Sequence, residues 1–92
     1  MEIVELFSYG QGAAYEADEF YVYKHPKYPR KYAVDIDGGC SCYVYEPPTV
    51  EQLSAETPLG KREVYAAFLK WWDPDYSHDT KLAVMDSLRA AL

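Results

Sequence analysis

The residues with the most reactive side chains are two cysteines, Cys40 and Cys42, in the stretch Asp35-Ile36-Asp37-Gly38-Gly39-Cys40-Ser41-Cys42. Residues two apart in a strand point to the same side, so both sulfurs can contact one metal ion. A closed zinc site needs two more ligands, and the histidines available are His25 and His78. Their spacings to the cysteines, 15 and 36 residues, match no zinc-finger pattern.

The favoured interpretation of Cys40 and Cys42 is a pair of buried thiols that behave as small apolar side chains. A zinc site with His25 and His78, or a redox-sensitive thiol, is the alternative. A nucleophilic thiolate needs a base or a positive environment, and the nearby residues Asp35 and Asp37 are acidic. The sequence therefore predicts no catalytic residue, no cofactor and no enzymatic activity.

A second candidate site is a basic segment rich in tyrosine at residues 23–32. Lysine and arginine contact phosphates or carboxylates, and exposed tyrosine rings stack on bases or pack against a protein partner. Trp71 and Trp72 lie 100° apart on a helix, so one of them is expected at the edge of the core. The predicted binding residues are Tyr21, Tyr23, Lys24, Lys27, Tyr28, Arg30, Lys31 and Trp71.

The overall charge opposes general binding to nucleic acid or anionic membranes. The chain has fifteen Asp and Glu residues and nine Lys and Arg residues, for a net charge of −6. Four of the nine cations fall within residues 24–31, with no acid between them. A basic hairpin tip is also a common protection against edge-to-edge strand pairing. Binding to nucleic acid through local contacts is an alternative, whereas long-range attraction between this acidic chain and nucleic acid is not expected.

Strands are predicted in the first half of the chain, at residues 3–9, 19–25, 31–36 and 40–46. The second of these places Phe20 and Val22 on one face and Tyr21 and Tyr23 on the other. Turns are predicted at Gly10-Gln11-Gly12, at 25–30 with its two prolines, and at Asp37-Gly38-Gly39. Pro47-Pro48 ends the strand region.

Helices are predicted after the prolines. Thr49 and Gln52 form a capping box for a brief helical turn through Leu53. Thr57 is the predicted N-cap of a longer helix, with Pro58 at its first position and Val64, Phe68 and Trp71 or Trp72 on its apolar face. Asp73-Pro74-Asp75 ends that helix. Ser77 or Asp79 then caps a last helix whose apolar face comprises Leu82, Met85, Leu88 and Leu92.

Strands followed by helices predict an α+β fold, with a three- or four-stranded antiparallel meander covered by two C-terminal helices. The 92 residues form one domain: an N-terminal arm or edge strand at 1–12, the meander at 19–46 and the helical half at 49–92. No basic leader and no apolar run long enough to span a membrane is apparent. A cytoplasmic protein that does not bind membranes is expected.

The tetrad Gly39-Cys40-Ser41-Cys42, followed by Glu46-Pro47, resembles a motif in a group of small proteins of unknown function from actinobacterial phages and actinobacteria. Members of that group carry an aromatic strand with a basic end, a second strand, the tetrad and a helical half. The resemblance covers roughly residues 15–75. It implies a non-structural phage product in the host cytoplasm, and it implies no reaction.

The predicted function is a non-enzymatic interaction module that binds a host or phage protein through tyrosines and a tryptophan. The first alternative is a nucleic-acid-associated protein that uses the hairpin 24–32. The second is a metal or thiol site at Cys40 and Cys42. A free edge of the sheet would also allow pairing with a second copy of the chain.

Overall fold

The computed structural model describes residues 3–11, 16–40, 47–72 and 78–92. Three strands come first, and three helices follow. The strands are β1 (Glu5–Gln11), β2 (Glu16–Lys24) and β3 (Tyr32–Cys40), and the helices are α1 (Val50–Ala55), α2 (Lys61–Trp71) and α3 (His78–Ala91). The strands form one antiparallel sheet in the order β1-β2-β3, so the predicted α+β meander is confirmed.

The central strand β2 buries both of its faces. Phe20 and Val22 point to one face, where Tyr9 and Phe7 of β1 stand opposite them. On that face α2 and α3 contribute the buried side chains of the main core, which are Val64, Phe68, Trp72, Val84, Met85 and Leu88. The alternation predicted for β2 therefore places its apolar residues under the two long helices.

The opposite face of the sheet carries a smaller core. Tyr21, Tyr23 and Ala33 point to this face, and Leu53 of α1 packs on them. The sheet is thus covered on both faces, by α2 and α3 on one side and by the six-residue helix α1 on the other. The cover from α1 was not predicted, because its sequence shows only one strongly apolar position directed at the sheet.

Two predicted turns are wrong. β1 continues through Gly10 and Gln11, which pair with Glu19 and Asp18. β3 likewise continues through Asp37-Gly38-Gly39 to Cys40. The reason is that β2 begins at Glu16, earlier than predicted, and so offers ladder partners to both segments. Glycine has a low intrinsic preference for strands, but it adopts the extended conformation where a neighbouring strand supplies the hydrogen bonds.

The predicted strand at 40–46 is represented only by Cys40, which ends β3. Residues 41–46 lie outside the described part of the chain. The third strand of the described sheet is instead β1, the segment predicted as an N-terminal arm or edge strand.

The helix α1 begins as predicted. The Thr49 hydroxyl accepts a hydrogen bond from the Gln52 amide at 3.1 Å, and the Gln52 side chain accepts one from the Thr49 amide at 2.8 Å. The start of α2 was predicted wrongly at Thr57 and Pro58. Its N-cap is Gly60, whose amide donates to the Glu63 carboxylate at 3.2 Å.

The cause of the later start lies in β3. Leu59 forms a two-way backbone bridge with Tyr32, in which Tyr32 N donates to Leu59 O at 2.8 Å and Leu59 N donates to Tyr32 O at 2.9 Å. A residue held extended in this way cannot take helical dihedral angles. The helix therefore begins only after Gly60.

The last helix begins at His78 and contains Asp79 in its first turn, while Ser77 lies outside the described residues. Met85 and Leu88 are buried as predicted, together with Val84. The assignment of Leu82 to the apolar face is wrong, since 51% of this residue is exposed. At 100° per residue, Leu82 lies about 115° from the centre of the Val84–Met85–Leu88 stripe. Within the described residues, no helix is long and apolar enough to cross a membrane.

Candidate functional site

The most exposed of the predicted binding residues lie on the loop that joins β2 to β3. Backbone hydrogen bonds from His25 N to Lys31 O (3.0 Å) and from Lys31 N to Tyr28 O (2.9 Å) close this loop. The two prolines, Pro26 and Pro29, keep its centre out of the sheet ladder. Side chains that are exposed here are those of Lys24, Lys27, Tyr28, Arg30 and Lys31.

The buried side chain of His25 stabilises the loop. It is 1% exposed, and its Nε2 donates to the Glu56 carbonyl oxygen at 2.9 Å, while its Nδ1 accepts from the Lys27 amide at 3.1 Å. A carbonyl oxygen can only accept and a backbone amide can only donate, so the ring is the neutral tautomer with its proton on Nε2. The Tyr28 ring lies against it at a centroid distance of 5.1 Å. His25 therefore links the loop to the end of α1 through Glu56, and it also stabilises the turn of the loop through the Lys27 amide.

Two further cations directly follow a residue that lies beside the loop, and sequence reasoning missed them. The bridge between Tyr32 and Leu59 brings the start of α2 beside the loop. A Cβ atom added to Gly60 would lie 3.7 Å from the Lys31 ammonium nitrogen. Lys61 and Arg62 follow Gly60 directly and are exposed. Their proximity to the loop could not be read from a separation of thirty residues along the chain.

The basic surface is defined here as Lys24, Lys27, Arg30, Lys31, Lys61 and Arg62, which are six of the nine basic residues of the chain. Within the described residues, none of these six forms an ion pair with a carboxylate; the ion pair found there joins Arg89 to Asp86 at 3.7 Å. Glu63 borders the surface and adds one negative charge there, and its carboxylate accepts a hydrogen bond from the Gly60 amide. The surface thus concentrates positive charge on a chain whose net charge is −6.

The structure separates Tyr21 and Tyr23 from this surface. Both rings are buried, at 9% and 2% exposure, and they stack on each other at a centroid distance of 6.2 Å beneath α1. The Tyr21 hydroxyl donates to the Glu19 carboxylate. These two tyrosines therefore stabilise the smaller core, and a truncation at either position changes the fold as well as any surface.

Of the two tryptophans, Trp71 is the more exposed. Trp72 is buried and stacks on Tyr9 at 5.7 Å, whereas Trp71 is half-buried against Phe20 at 5.4 Å and Phe68 at 5.8 Å. Trp71 lies at the end of α2, whereas Lys61 and Arg62 lie at its start. The binding residues predicted from sequence are accordingly not one site, and the loop residues are the ones that share a surface.

The predicted cysteine motif lies at the limit of the described residues. Gly39 and Cys40 end β3, and Ser41 and Cys42 lie outside the described ranges. For the zinc alternative, metal binding by His25 would break one of the two hydrogen bonds of its ring. His78 is exposed at the start of α3. In the ranges that the structure describes, no three His, Cys, Asp or Glu residues cluster as metal ligands.

The chain was compared with known protein families, with curated proteins and with solved structures. No family, no curated protein and no solved structure matches it.

Proposed function

We propose that this chain is a non-enzymatic protein-interaction module that binds an acidic segment of a partner protein through the basic surface. The observation that carries the proposal is the set of six cations that have no carboxylate partner within the described residues. Lysine and arginine attract and hydrogen-bond carboxylates, and arginine is enriched at protein interfaces. If the chain is a phage product, as the resemblance of its cysteine motif implies, the partner is a protein of the host or of the phage.

The charge of the remaining chain favours a protein partner over a nucleic acid. Outside the basic surface the chain has three cations and fifteen acidic residues. A long polyanion would extend from the basic surface over this acidic remainder and be repelled there. An acidic protein segment carries its negative charge over a short length, so it can contact the basic surface alone.

Nucleic acid is a second candidate because of Tyr28. This residue is 48% exposed and lies between the cations of the loop. An exposed ring among cations is the arrangement with which proteins stack single-stranded bases while contacting the phosphates. A short single strand, rather than a duplex, is the nucleic acid that such a small surface fits.

The experiment compares two triple variants that change the net charge equally. Lys27→Ala/Arg30→Ala/Lys31→Ala removes half of the basic surface. Lys70→Ala/Lys81→Ala/Arg89→Ala removes the three cations elsewhere. Each protein is titrated with a short peptide of glutamate and aspartate and with an oligothymidylate of equal charge, over a range of salt concentrations. We expect the first triple variant to lose about tenfold or more in affinity for the acidic peptide, and the second to lose little.

The outcomes separate the candidates. Tighter binding of the oligothymidylate, with the same dependence on the loop cations, selects the nucleic-acid function. Equal losses in both triple variants mean that net charge alone drives binding, and the proposed surface is then wrong. A pull-down from the producing cell after nuclease treatment identifies the natural partner, and that partner must be lost with the first triple variant and kept with the second.

A further inference from the structure

The helical layer of this fold is wider than the sheet that it covers. Two helices packed side by side span about 20 Å, whereas three strands span about 14 Å, so the difference is close to the width of one strand. α2 packs against β2 and β3, and α3 packs chiefly against β1. The excess width therefore lies at the β1 edge, where α3 extends beyond the sheet.

A groove occupies that position. It has a volume of about 600 Å³ and is lined on one side by Phe7, Ser8 and Tyr9 of β1. Its other side is α3, which contributes Ala83 and Val84 among the lining residues. The groove surface is mostly apolar and lies open along the strand. Its place and its lining are those that a fourth strand beside β1 would need.

The backbone of β1 is oriented to receive that strand. Lys24 N donates to Val4 O at 2.9 Å, which shows that the even-numbered residues of β2 turn their backbone groups toward β1. Phe20 and Val22 then pair by hydrogen bonds with Tyr9 and Phe7. Ser8 lies between those pairs, so the alternation of an antiparallel ladder turns its N–H and C=O toward the open edge.

Along the described part of the other edge, one residue is bridged. At Tyr32 the outer side of β3 is occupied by the two backbone hydrogen bonds of Leu59. Within the described residues, no strand pairs with the outer side of β1. β1 has no charged residue from Leu6 to Gln11, and its protection as a free edge is a β-bulge between Glu5 and Phe7, beyond which the pairing with β2 is regular to Gln11.

A second copy of the chain does not fit this edge. Antiparallel pairing of β1 with β1 of a second copy would place the two strands about 5 Å apart, and each strand carries its own α3 beneath it. Packed helices need 8–10 Å between their axes, so the two α3 helices would overlap. The occupant must therefore be a strand without a helix below it.

We propose that β1 and α3 form a docking groove for an extended segment of a partner protein, which adds to the sheet as a fourth strand. Alternate residues of that segment are apolar and point into the groove. Among the described residues that line the groove, the one charged side chain is that of Asp79. The segment therefore carries a lysine or arginine beside its apolar residues. This surface is independent of the basic surface.

The experiment selects random displayed peptides on the wild-type protein and tests the enriched sequences against four variants. Ser8→Pro removes the outward N–H, which an edge strand tolerates, and Ser8→Ala is its control. Ala83→Glu places a charged side chain in the groove, and Ala90→Glu places the same charge on an exposed part of α3 outside the residues that line it. Urea unfolding measures how well each variant is folded.

We expect enriched peptides with alternating apolar residues and a basic residue. Their affinity should fall by about tenfold or more with Ser8→Pro and with Ala83→Glu, and by less than about twofold with either control. If Ser8→Pro does not fold, Ala83→Glu decides alone. Slower hydrogen exchange of the Ser8 amide on peptide binding is the expected direct signature.

Three results would overturn the proposal. The first is that no peptide is enriched, and the second is that enriched peptides bind both groove variants as tightly as the wild type. The third is a dimer in sedimentation that Ser8→Pro dissociates, since the edge would then belong to a second copy. The triple variant of the loop should bind the selected peptides normally, so this test and that of the basic surface can fail separately.

Discussion

The two faces of β2 carry cores of different size and construction. Phe20 and Val22 pack against two helices of eleven and fourteen residues, and the result is an aromatic core of rings in edge-to-face and stacked contact. Tyr21 and Tyr23 pack against a helix of six residues that contributes one buried side chain, Leu53. One strand thus supplies both cores, and the difference comes from what lies above each face.

The helix α1 covers one face of the sheet although it is short. A six-residue helix is too short to be stable by itself, so α1 depends on its capping box, on Leu53 and on the hydrogen bond from His25 to the Glu56 carbonyl. Its removal would expose Tyr21 and Tyr23, whose hydroxyl groups tolerate water better than phenylalanine rings do. The smaller core should therefore open more easily than the main core.

The largest expected effect is in the main core. Phe68 is fully buried and its ring contacts Phe7, Phe20 and both tryptophans. Phe68→Ala should lower the free energy of unfolding by about 3–5 kcal/mol through lost burial and a residual cavity. Urea unfolding followed by tryptophan fluorescence measures it. Leu69→Ala, at an exposed neighbour, is the control, and a cost below about 1 kcal/mol for Phe68→Ala would contradict the main core described here.

A smaller effect is expected in the second core. Leu53→Ala should cost about 2–3 kcal/mol, since this side chain is nearly fully buried but its surroundings can close over the space. Hydrogen exchange should then become faster in α1 while α2 stays protected. Glu51→Ala on the exposed side of α1 is the matched control. Equal acceleration in α1 and α2 would mean that the two cores unfold as one unit.

The smallest of the three effects concerns the link between the loop and α1. His25→Ala should cost about 1–3 kcal/mol, because it leaves the Glu56 carbonyl and the Lys27 amide without their ring partners. Lys27→Ala keeps the Lys27 amide and serves as the control. Nitrogen NMR of the His25 ring should show the proton on Nε2, and a proton on Nδ1 would disprove the hydrogen bonding described for this loop.

Local sequence patterns predicted the elements that depend on near neighbours. The alternation in β2 separated Phe20 and Val22 from Tyr21 and Tyr23 correctly, and the capping box of Thr49 and Gln52 identified the start of α1. The prolines and cations of the β2–β3 loop indicated an exposed basic segment, which the structure places at the surface. Each of these depends on residues that are close in the chain.

Most errors arose where a distant segment decides the conformation, whereas Leu82 was misassigned within its own helix. The glycines at 38 and 39 were predicted to form a turn, but they pair with β2 and belong to a strand. Thr57 and Pro58 looked like a helix start, and the bridge from Leu59 to Tyr32 delays it. Trp71 and the tyrosines of β2 looked like parts of one binding surface, although they belong to different layers of the fold.

The sequence by itself determined the fold class, the two-sided character of β2 and the concentration of cations in one loop, because these follow from side-chain periodicity and local backbone chemistry. Only the tertiary structure decided where strands end, which cations join the loop and where the helical layer exceeds the sheet. Those features depend on hydrogen bonds and packing between residues far apart in the chain, and no local pattern encodes the partner of such a contact.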